Sequence, residues 1–293
     1  MAYLVTGAAG FIGSHLAEAL VAAGHEVRGI DSFTDYYDPA RKRENAARLD
    51  VRELDLETVD LEPLLADVDG VFHLAGQPGV RSSFGEDFEL YVRRNVLVTS
   101  RLFETAARGG TRVVFASSSS VYGDAESFPT HEDARPHPLS PYGVTKLACE
   151  HLAHALARTA GLEAVGLRYF TVYGPRQRPD MAMTRMLEAL AGRTSFPLYG
   201  DGSVSRSFTY VTDAVAATIA AMDNGAPGSV YNVGGGEEAT MSEAIALAER
   251  IAGLELEVER LEPAPGDVRR TRADGRKARV ELGFEPQTSL AEG

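Results

Sequence analysis

Short apolar runs alternate with stretches of helical period along residues 1–173 of the 293-residue chain. Residues 2–6, AYLVT, are apolar and stop at Gly7. Residues 11–23 place apolar positions at helical spacing and close at Gly24, the residue type favoured just past a helix end. The same alternation predicts strands at 26–30 (closing at Asp31), 51–56, 70–74, 112–117 and 164–169, and helices at 88–109 and 142–159. Strands alternating with helices predict an α/β fold built on a doubly wound parallel sheet.

The texture changes after Gly174. A polar loop, GPRQRPD, leads into a helix at 183–190, and short strands and glycines follow in FPLYGDGSVSRSFTYV. Residues 230–233 read as a return to the sheet and 254–261 as a strand of a smaller part. The expected organisation is a larger nucleotide-binding domain over 1–173 and a smaller, interleaved α+β substrate-binding domain over 174–293, with about 206–235 returning to the first sheet. The closing TSLAEG reads as the start of a helix that is cut off.

Charge narrows the partners. With 29 Lys and Arg against 42 Asp and Glu, the net charge of −13 argues against a general nucleic-acid or membrane surface. An anionic ligand would need locally placed arginines and backbone amides. The single cysteine, Cys149, precludes an internal disulfide and a Cys-rich zinc site, which fits a reducing cytoplasm, and no metal centre is expected. The chain begins directly with a strand, and no apolar run approaches the roughly 20 residues that span a bilayer.

The first strand–helix junction carries the first chemistry. TGAAGFIGSH sets Gly7, Gly10 and Gly13 at G-x-x-G-x-x-G spacing around Phe11 and Ile12. Glycine lets the backbone approach a pyrophosphate, and the helix start offers unpaired N–H groups to the anion. This makes the sheet a Rossmann-type dinucleotide site. Asp31, followed by Ser32, closes the second strand where a ribose-binding acid is expected. Its carboxylate would accept both ribose hydroxyls and repel a 2′-phosphate, favouring NAD over NADP. Asp55 and Leu56 would suit the adenine edge, and Leu74 and Ala75 would pass beneath the cofactor. His73 beside them reads as a core histidine.

Tyr142 and Lys146 stand four apart at a helix start and share one face. A lysine beside a phenol favours the phenolate, which suits Tyr142 to act as general base toward a sugar or alcohol hydroxyl. Upstream lies FASSSSVYG, four serines after an apolar run, with Ser117 as strand-end support close to the cofactor.

With these motifs the chain resembles the extended short-chain dehydrogenase/reductases that modify nucleotide sugars. TGAAGFIGSH, HLAGQPGVR, SSSSVYG, YGVTK, RYFTVYGP, RSFTYV and GDVRRT occur in that family's order and span nearly the whole chain. The resemblance implies tightly bound NAD that takes a hydride from a sugar carbon and returns it. It also implies a homodimer through helices 88–109 and 142–159, packed as a four-helix bundle. By the same resemblance Ser118 relays a proton between sugar and Tyr142, Lys146 holds the nicotinamide ribose, and Asn95, Tyr169 and Val172 contact the cofactor.

The residues after Ser118 discriminate among reactions. Similar dehydratases carry an Asp-Glu pair at the positions of Ser119 and Ser120, and similar decarboxylases a glutamate at Ser120. Serine at both places argues against either lyase. Thr171 and Arg178, within YFTVYGP and RPDMA, are most like UDP-glucuronate 4-epimerases, although Arg176-Gln177 departs from the usual GPWGRPD of that group. Oxidising C4 of a glucuronate creates a β-keto acid prone to lose carbon dioxide. Neutral hydroxyls on Ser119, Ser120 and Thr171, with Arg178, could clamp the carboxylate against that loss. A 4-epimerase of neutral UDP-glucose and UDP-galactose is the alternative. For the nucleotide, Arg206 and Arg269 match diphosphate contacts, Arg81 lies on the substrate side, and Phe196 offers a wall for uracil.

Overall fold

The computed structural model describes residues 1–263 and 266–293. The early strands fall where the apolar runs lie: β1 (Ala2–Thr6), β2 (Glu26–Asp31), β3 (Val51–Glu53), β4 (Gly70–His73), β5 (Arg112–Ser118) and β6 (Ala164–Tyr169). The later strands are β7 (Thr171–Tyr173), β8 (Phe196–Tyr199), β9 (Ser205–Tyr210), β10 (Val230–Val233), β11 (Glu238–Thr240) and β12 (Val258–Leu261). Seven of them form one parallel sheet in the order β10-β6-β5-β4-β1-β2-β3. The order reverses beside β1, and it is outside the carboxyl ends at such a switch point that open α/β sheets bind ligands.

Period-two alternation along the strands divides two apolar layers. Tyr3, Val5, Phe72 and Val114 pack with Leu16 and Leu20 of helix Phe11–Ala22 and with Val215 and Met222 of helix Val211–Asn224. Leu4, Val71, Val113 and Phe115 point the other way, onto Leu102 and Phe103 of helix Val98–Gly109 and Cys149 and Ala153 of helix Pro141–Ala160. Burial on both faces explains why the central strands read as unbroken apolar runs.

Five of the later strands build a second unit over the carboxyl ends of this sheet. β11, β9 and β7 form a three-stranded sheet, and β12 pairs parallel with β8. Their core gathers Tyr173, Met186, Phe196, Leu198, Phe208, Ile245 and Leu256. β10 returns to pair with β6, as the pattern at 230–233 predicts.

Three expectations change at their edges. β3 ends at Glu53 because Asp55 turns the chain, accepting the Glu57 amide at 2.8 Å on its side chain. The stretch at 88–109 is interrupted by a π turn over Val92–Leu97, between helices Phe88–Tyr91 and Val98–Gly109. The strand expected at 254–261 is confined to Val258–Leu261. At the other end of the chain, Ser289 and Glu292 bond reciprocally, the Ser289 amide donating to Glu292 Oε2 at 3.0 Å and the Glu292 amide donating back to Ser289 Oγ at 3.3 Å. This is the reciprocal geometry of a capping box.

Candidate functional site

A cavity of about 550 Å³ lies along the carboxyl ends of the central strands and under the second unit. Its cofactor end is largely backbone. Gly7 sits in the left-handed region at φ 72°, and a Cβ there would come within 2.8 Å of the Ala75 amide nitrogen. A Cβ on Gly13 would collide with the Gly7 carbonyl. Helix Phe11–Ala22 opens at Gly10 without a side-chain cap, so its first amides are left for an anion. Phe11, Ile12, Asp31, Ser32, Asp55, Leu56, Leu74 and Ala75 all line the cavity.

Asp31 is 8 % exposed and is held by the backbone: it accepts the Phe33 amide at 2.8 Å and the Ala9 amide at 3.2 Å. Lys42, which no motif pointed to, brings its ammonium to 3.7 Å from Asp31 and donates to Thr34 Oγ1 at 3.0 Å. Burial pulls its pKa down, opposed by the Asp31 charge. The glycine cradle, the free helix amides and this carboxylate–ammonium pair fit the pyrophosphate and ribose of a dinucleotide. His73 is a satisfied core histidine between Thr6 Oγ1 at 2.8 Å and Thr99 Oγ1 at 3.0 Å. Burial, with Lys146 nearby, lowers its pKa to about 3.

The reacting end is set by one helix face. Ser140 caps helix Pro141–Ala160 by accepting the Gly143 amide at 3.1 Å, and Tyr142, Lys146 and Glu150 follow at spacings of four. Lys146 Nζ lies 5.9 Å from the centre of the Tyr142 ring and donates to the Ala116 carbonyl at 2.8 Å. Glu150 accepts Ser117 Oγ at 2.5 Å and a bidentate pair from Arg168 at 2.9 and 2.7 Å. The helix is thus pinned to the end of β5 at two successive turns. Sequence reasoning missed Glu150 and Arg168; the four-residue spacing after Lys146 was the available signal. Ser118 Oγ accepts the Ser120 amide at 3.1 Å, starting the single turn Ser119–Val121. All four serines line the cavity with Tyr142, Lys146, Tyr169, Thr171 and Val172.

Asn95, expected to contact the cofactor, is buried behind the cavity wall. The π turn carries it inward, where Oδ1 accepts the Gln77 amide at 2.6 Å and Nδ2 donates to the Gln77 carbonyl and Thr145 Oγ1, each at 3.1 Å. Its polar atoms tie the loop after β4 to the Tyr142 helix.

The far end of the cavity carries two arginines and two aspartates. Arg178 and Arg206 line it, and Arg178 is paired with Asp180 at 3.0 Å. Among the described residues no carboxylate lies so close to Arg206; burial lowers its pKa, with only partial relief from Asp267. Three expected residues stand off the wall. Arg81 pairs with Asp267 at 2.6 Å and lies 3.7 Å above the centre of the Tyr199 ring. Arg269 is exposed, its amide donating to Asp124 at 3.1 Å. Phe196 is 3 % exposed and packs in the core of the second unit, so it does not wall the cavity. The alternation of β8 turns Phe196 inward. Cavity-lining Asp180 and Asp267 went unread, because Tyr36 and Arg81, which meet them, lie far off in the chain.

A glycine-cradled dinucleotide site joined to a Ser–Tyr–Lys cluster defines the extended short-chain dehydrogenase/reductase class. The chain belongs to the NAD dependent epimerase/dehydratase family, whose model matches residues 3–234. It is 42 % identical over 305 residues to an uncharacterized UDP-glucose epimerase of Bacillus subtilis (strain 168), covering 100 % of this chain and 95 % of the relative. It is 37 % identical over 318 residues to UDP-glucuronate 4-epimerase 3 of Arabidopsis thaliana, covering 99 % of this chain and 74 % of that protein. The crystal structure of UDP-glucuronic acid 4-epimerase from Bacillus cereus, in complex with UDP-glucuronic acid and NAD, superposes with a TM-score of 0.96 at 42 % identity, covering 100 % of this chain and 96 % of that one.

Proposed function

We propose that the protein is an NAD-dependent isomerase that interconverts UDP-glucuronate and UDP-galacturonate by epimerisation at C4. The observation that carries this reading is the joining, in one cavity, of Ser118, Tyr142 and Lys146 with the neutral Ser119 and Ser120 and the cationic Arg178.

NAD, when bound, supplies a hydride acceptor and donor. The glycine turn and Asp31 hold its pyrophosphate and ribose. Tyr142 takes the C4 hydroxyl proton, with Ser118 as relay and Lys146 holding the nicotinamide ribose. Arg206 anchors the diphosphate, so the sugar can swing while the nucleotide stays. With NAD bound, the transient 4-keto sugar would turn its other face to the nicotinamide, and Tyr142 would return the proton to the C4 oxygen. Ser119, Ser120 and Thr171 donate to the uronate carboxylate and Arg178 pairs with it, opposing loss of carbon dioxide from the β-keto acid. No acid stands at 119 or 120 to drive elimination.

Residues 1–173, with the returning stretch around 206–235, bind the cofactor in this reading, and the rest of 174–293 binds the UDP-sugar. The protein works in the cytoplasm as a homodimer, pairing helix Val98–Gly109 with its preceding turn, and helix Pro141–Ala160, against a second copy. Leu97 and Val144, 54 % and 47 % exposed on those elements, are apolar surface for that contact. Sedimentation gives the oligomeric state.

The B. subtilis relative, named as a UDP-glucose epimerase, favours a second reading in which neutral UDP-hexoses are the substrates. A panel of UDP-sugars followed by NMR separates the two. The proposal expects UDP-galacturonate from UDP-glucuronate; a large preference for UDP-glucose establishes the alternative, and release of UDP-pentose contradicts both.

A further inference from the structure

A knot of hydroxyls surrounds Gly79 beside the sugar end of the cavity. Gly79 adopts φ 102°, and a Cβ there would collide with the hydroxyls of Ser82 and Tyr36. The Tyr91 hydroxyl lies 2.7 Å from Ser82 Oγ and faces the carbonyls of Pro78 and Gly79 at 2.6 and 2.9 Å. Ser82 Oγ in turn lies 3.4 Å from the Tyr36 hydroxyl, which donates to Asp180 Oδ2 at 3.3 Å. Asp180 then takes Arg178 in a fork, Nε to Oδ1 at 3.0 Å and Nη2 to Oδ2 at 3.1 Å.

This chain of contacts has direction. It starts at Tyr91, whose ring meets Tyr142 edge-on at 6.3 Å, and ends at a cation on the cavity wall. A two-point fork fixes the plane of a guanidinium, which a single contact would leave free to swing. The fork uses Nε and Nη2, so Nη1 remains outside the pair. Burial raises the Asp180 pKa, but the Arg178 charge together with hydrogen bonds from Arg178, the backbone and Tyr36 holds the carboxyl below its ordinary value. Asp180 is therefore ionised at neutral pH and keeps its grip.

We propose that Asp180, braced by Tyr36, is a positioning residue that aims Arg178 at the substrate carboxylate and so sets the preference for acidic over neutral UDP-sugars. The inference rests on the uronate reading above. An arginine free to move would follow the carboxylate as the keto sugar turns, and could not favour either product. An arginine fixed from behind gives the carboxylate one place to return to.

The test is calorimetric titration of NAD-loaded protein with UDP-glucuronate and UDP-glucose, for the native chain and for Asp180→Ala, Asp180→Asn and Tyr36→Phe. NAD content, read after release by denaturation, shows that each variant is folded. The expected result is a roughly tenfold fall in the Kd preference for UDP-glucuronate in Asp180→Ala. Asp180→Asn, which keeps an acceptor for one arm of the fork, recovers part of it, and Tyr36→Phe shows a smaller fall of about twofold. An unchanged preference, with both sugars weakened alike, assigns Asp180 a merely structural role and overturns the inference. Tighter uronate binding in both Asp180 variants overturns it too, since Asp180 would then be a competing anion. Native protein that turns over no UDP-glucuronate fails the uronate reading itself, and the inference falls with it.

Discussion

The two ends of the cavity recognise their ligands in different ways. At the cofactor end the work falls to backbone amides, glycines and one carboxylate held by the Phe33 and Ala9 amides. At the sugar end, in the proposed reading, it falls to Arg178 in the loop before helix Ala182–Leu190 and Arg206 on β9, the first of them forked by Asp180. Backbone recognition is rigid because the sheet fixes it. Recognition by long side chains needs counter-ions and braces, and it is there that related proteins can change substrate while keeping the cofactor.

The largest test of this division falls where the ends meet. Tyr142→Phe should lower kcat about 10²–10⁴-fold, the usual weight of a general base, while NAD content and thermal stability stay near native values. Turnover at the native rate would remove Tyr142 from the chemistry.

The cofactor end also carries a pH signature. His73 has a folded pKa of about 3 against an ordinary 6.5, so below pH 6.5 the unfolded chain takes up a proton that the folded one does not. Stability attributable to His73 is therefore complete above pH 6.5 and declines as pH falls toward 3. Denaturant unfolding of the native chain should lose about 2 kcal/mol more between pH 7.5 and 5 than His73→Gln does. Equal losses would show that the scaffold beneath the cofactor does not exclude protons as its burial implies.

Two sugar-end substitutions sharpen the contrast from the other side. Arg206→Ala should raise KM about tenfold for every UDP-sugar alike, because it removes a charge from the shared diphosphate. Ser120→Glu should raise KM for UDP-glucuronate a few-fold while leaving UDP-glucose less affected, since the new charge repels only the uronate. A Ser120→Glu effect equal on both sugars would place the carboxylate elsewhere.

The same division explains what the sequence revealed. The glycine spacing, Asp31, and the Tyr142–Lys146 pair were legible because local rules govern them: a turn that admits no Cβ, a strand end, a helix repeat. β1, β6 and β10 kept their expected bounds for the same reason, as apolar runs ending at polar or glycine residues. Asn95 is expected to contact the cofactor, and its side chain bonds Gln77 and Thr145 instead of standing on the cavity wall. A π turn rotates a helix face, and nothing in local apolar spacing announces it. Phe196 was misplaced because its neighbours come from residues far along the chain, among them Leu256 and Ile245. Lys42, Asp180 and Asp267 were missed outright, since a charged surface loop and a charged counter-ion look alike until the partner is in place. The helices Val211–Asn224 and Met241–Ala252, after the glycine-rich stretch, also went unread where strand and helix signals mix.

The central claim is that the hydride removed from C4 returns to the same carbon and that the uronate is turned over intact. UDP-glucuronate carrying deuterium at C4, incubated with the NAD-loaded protein in ordinary water, tests both parts by NMR and mass spectrometry. The account predicts UDP-galacturonate with the deuterium still at C4 and no evolved carbon dioxide. Loss of the label to solvent, or a UDP-pentose accompanied by carbon dioxide, would contradict it.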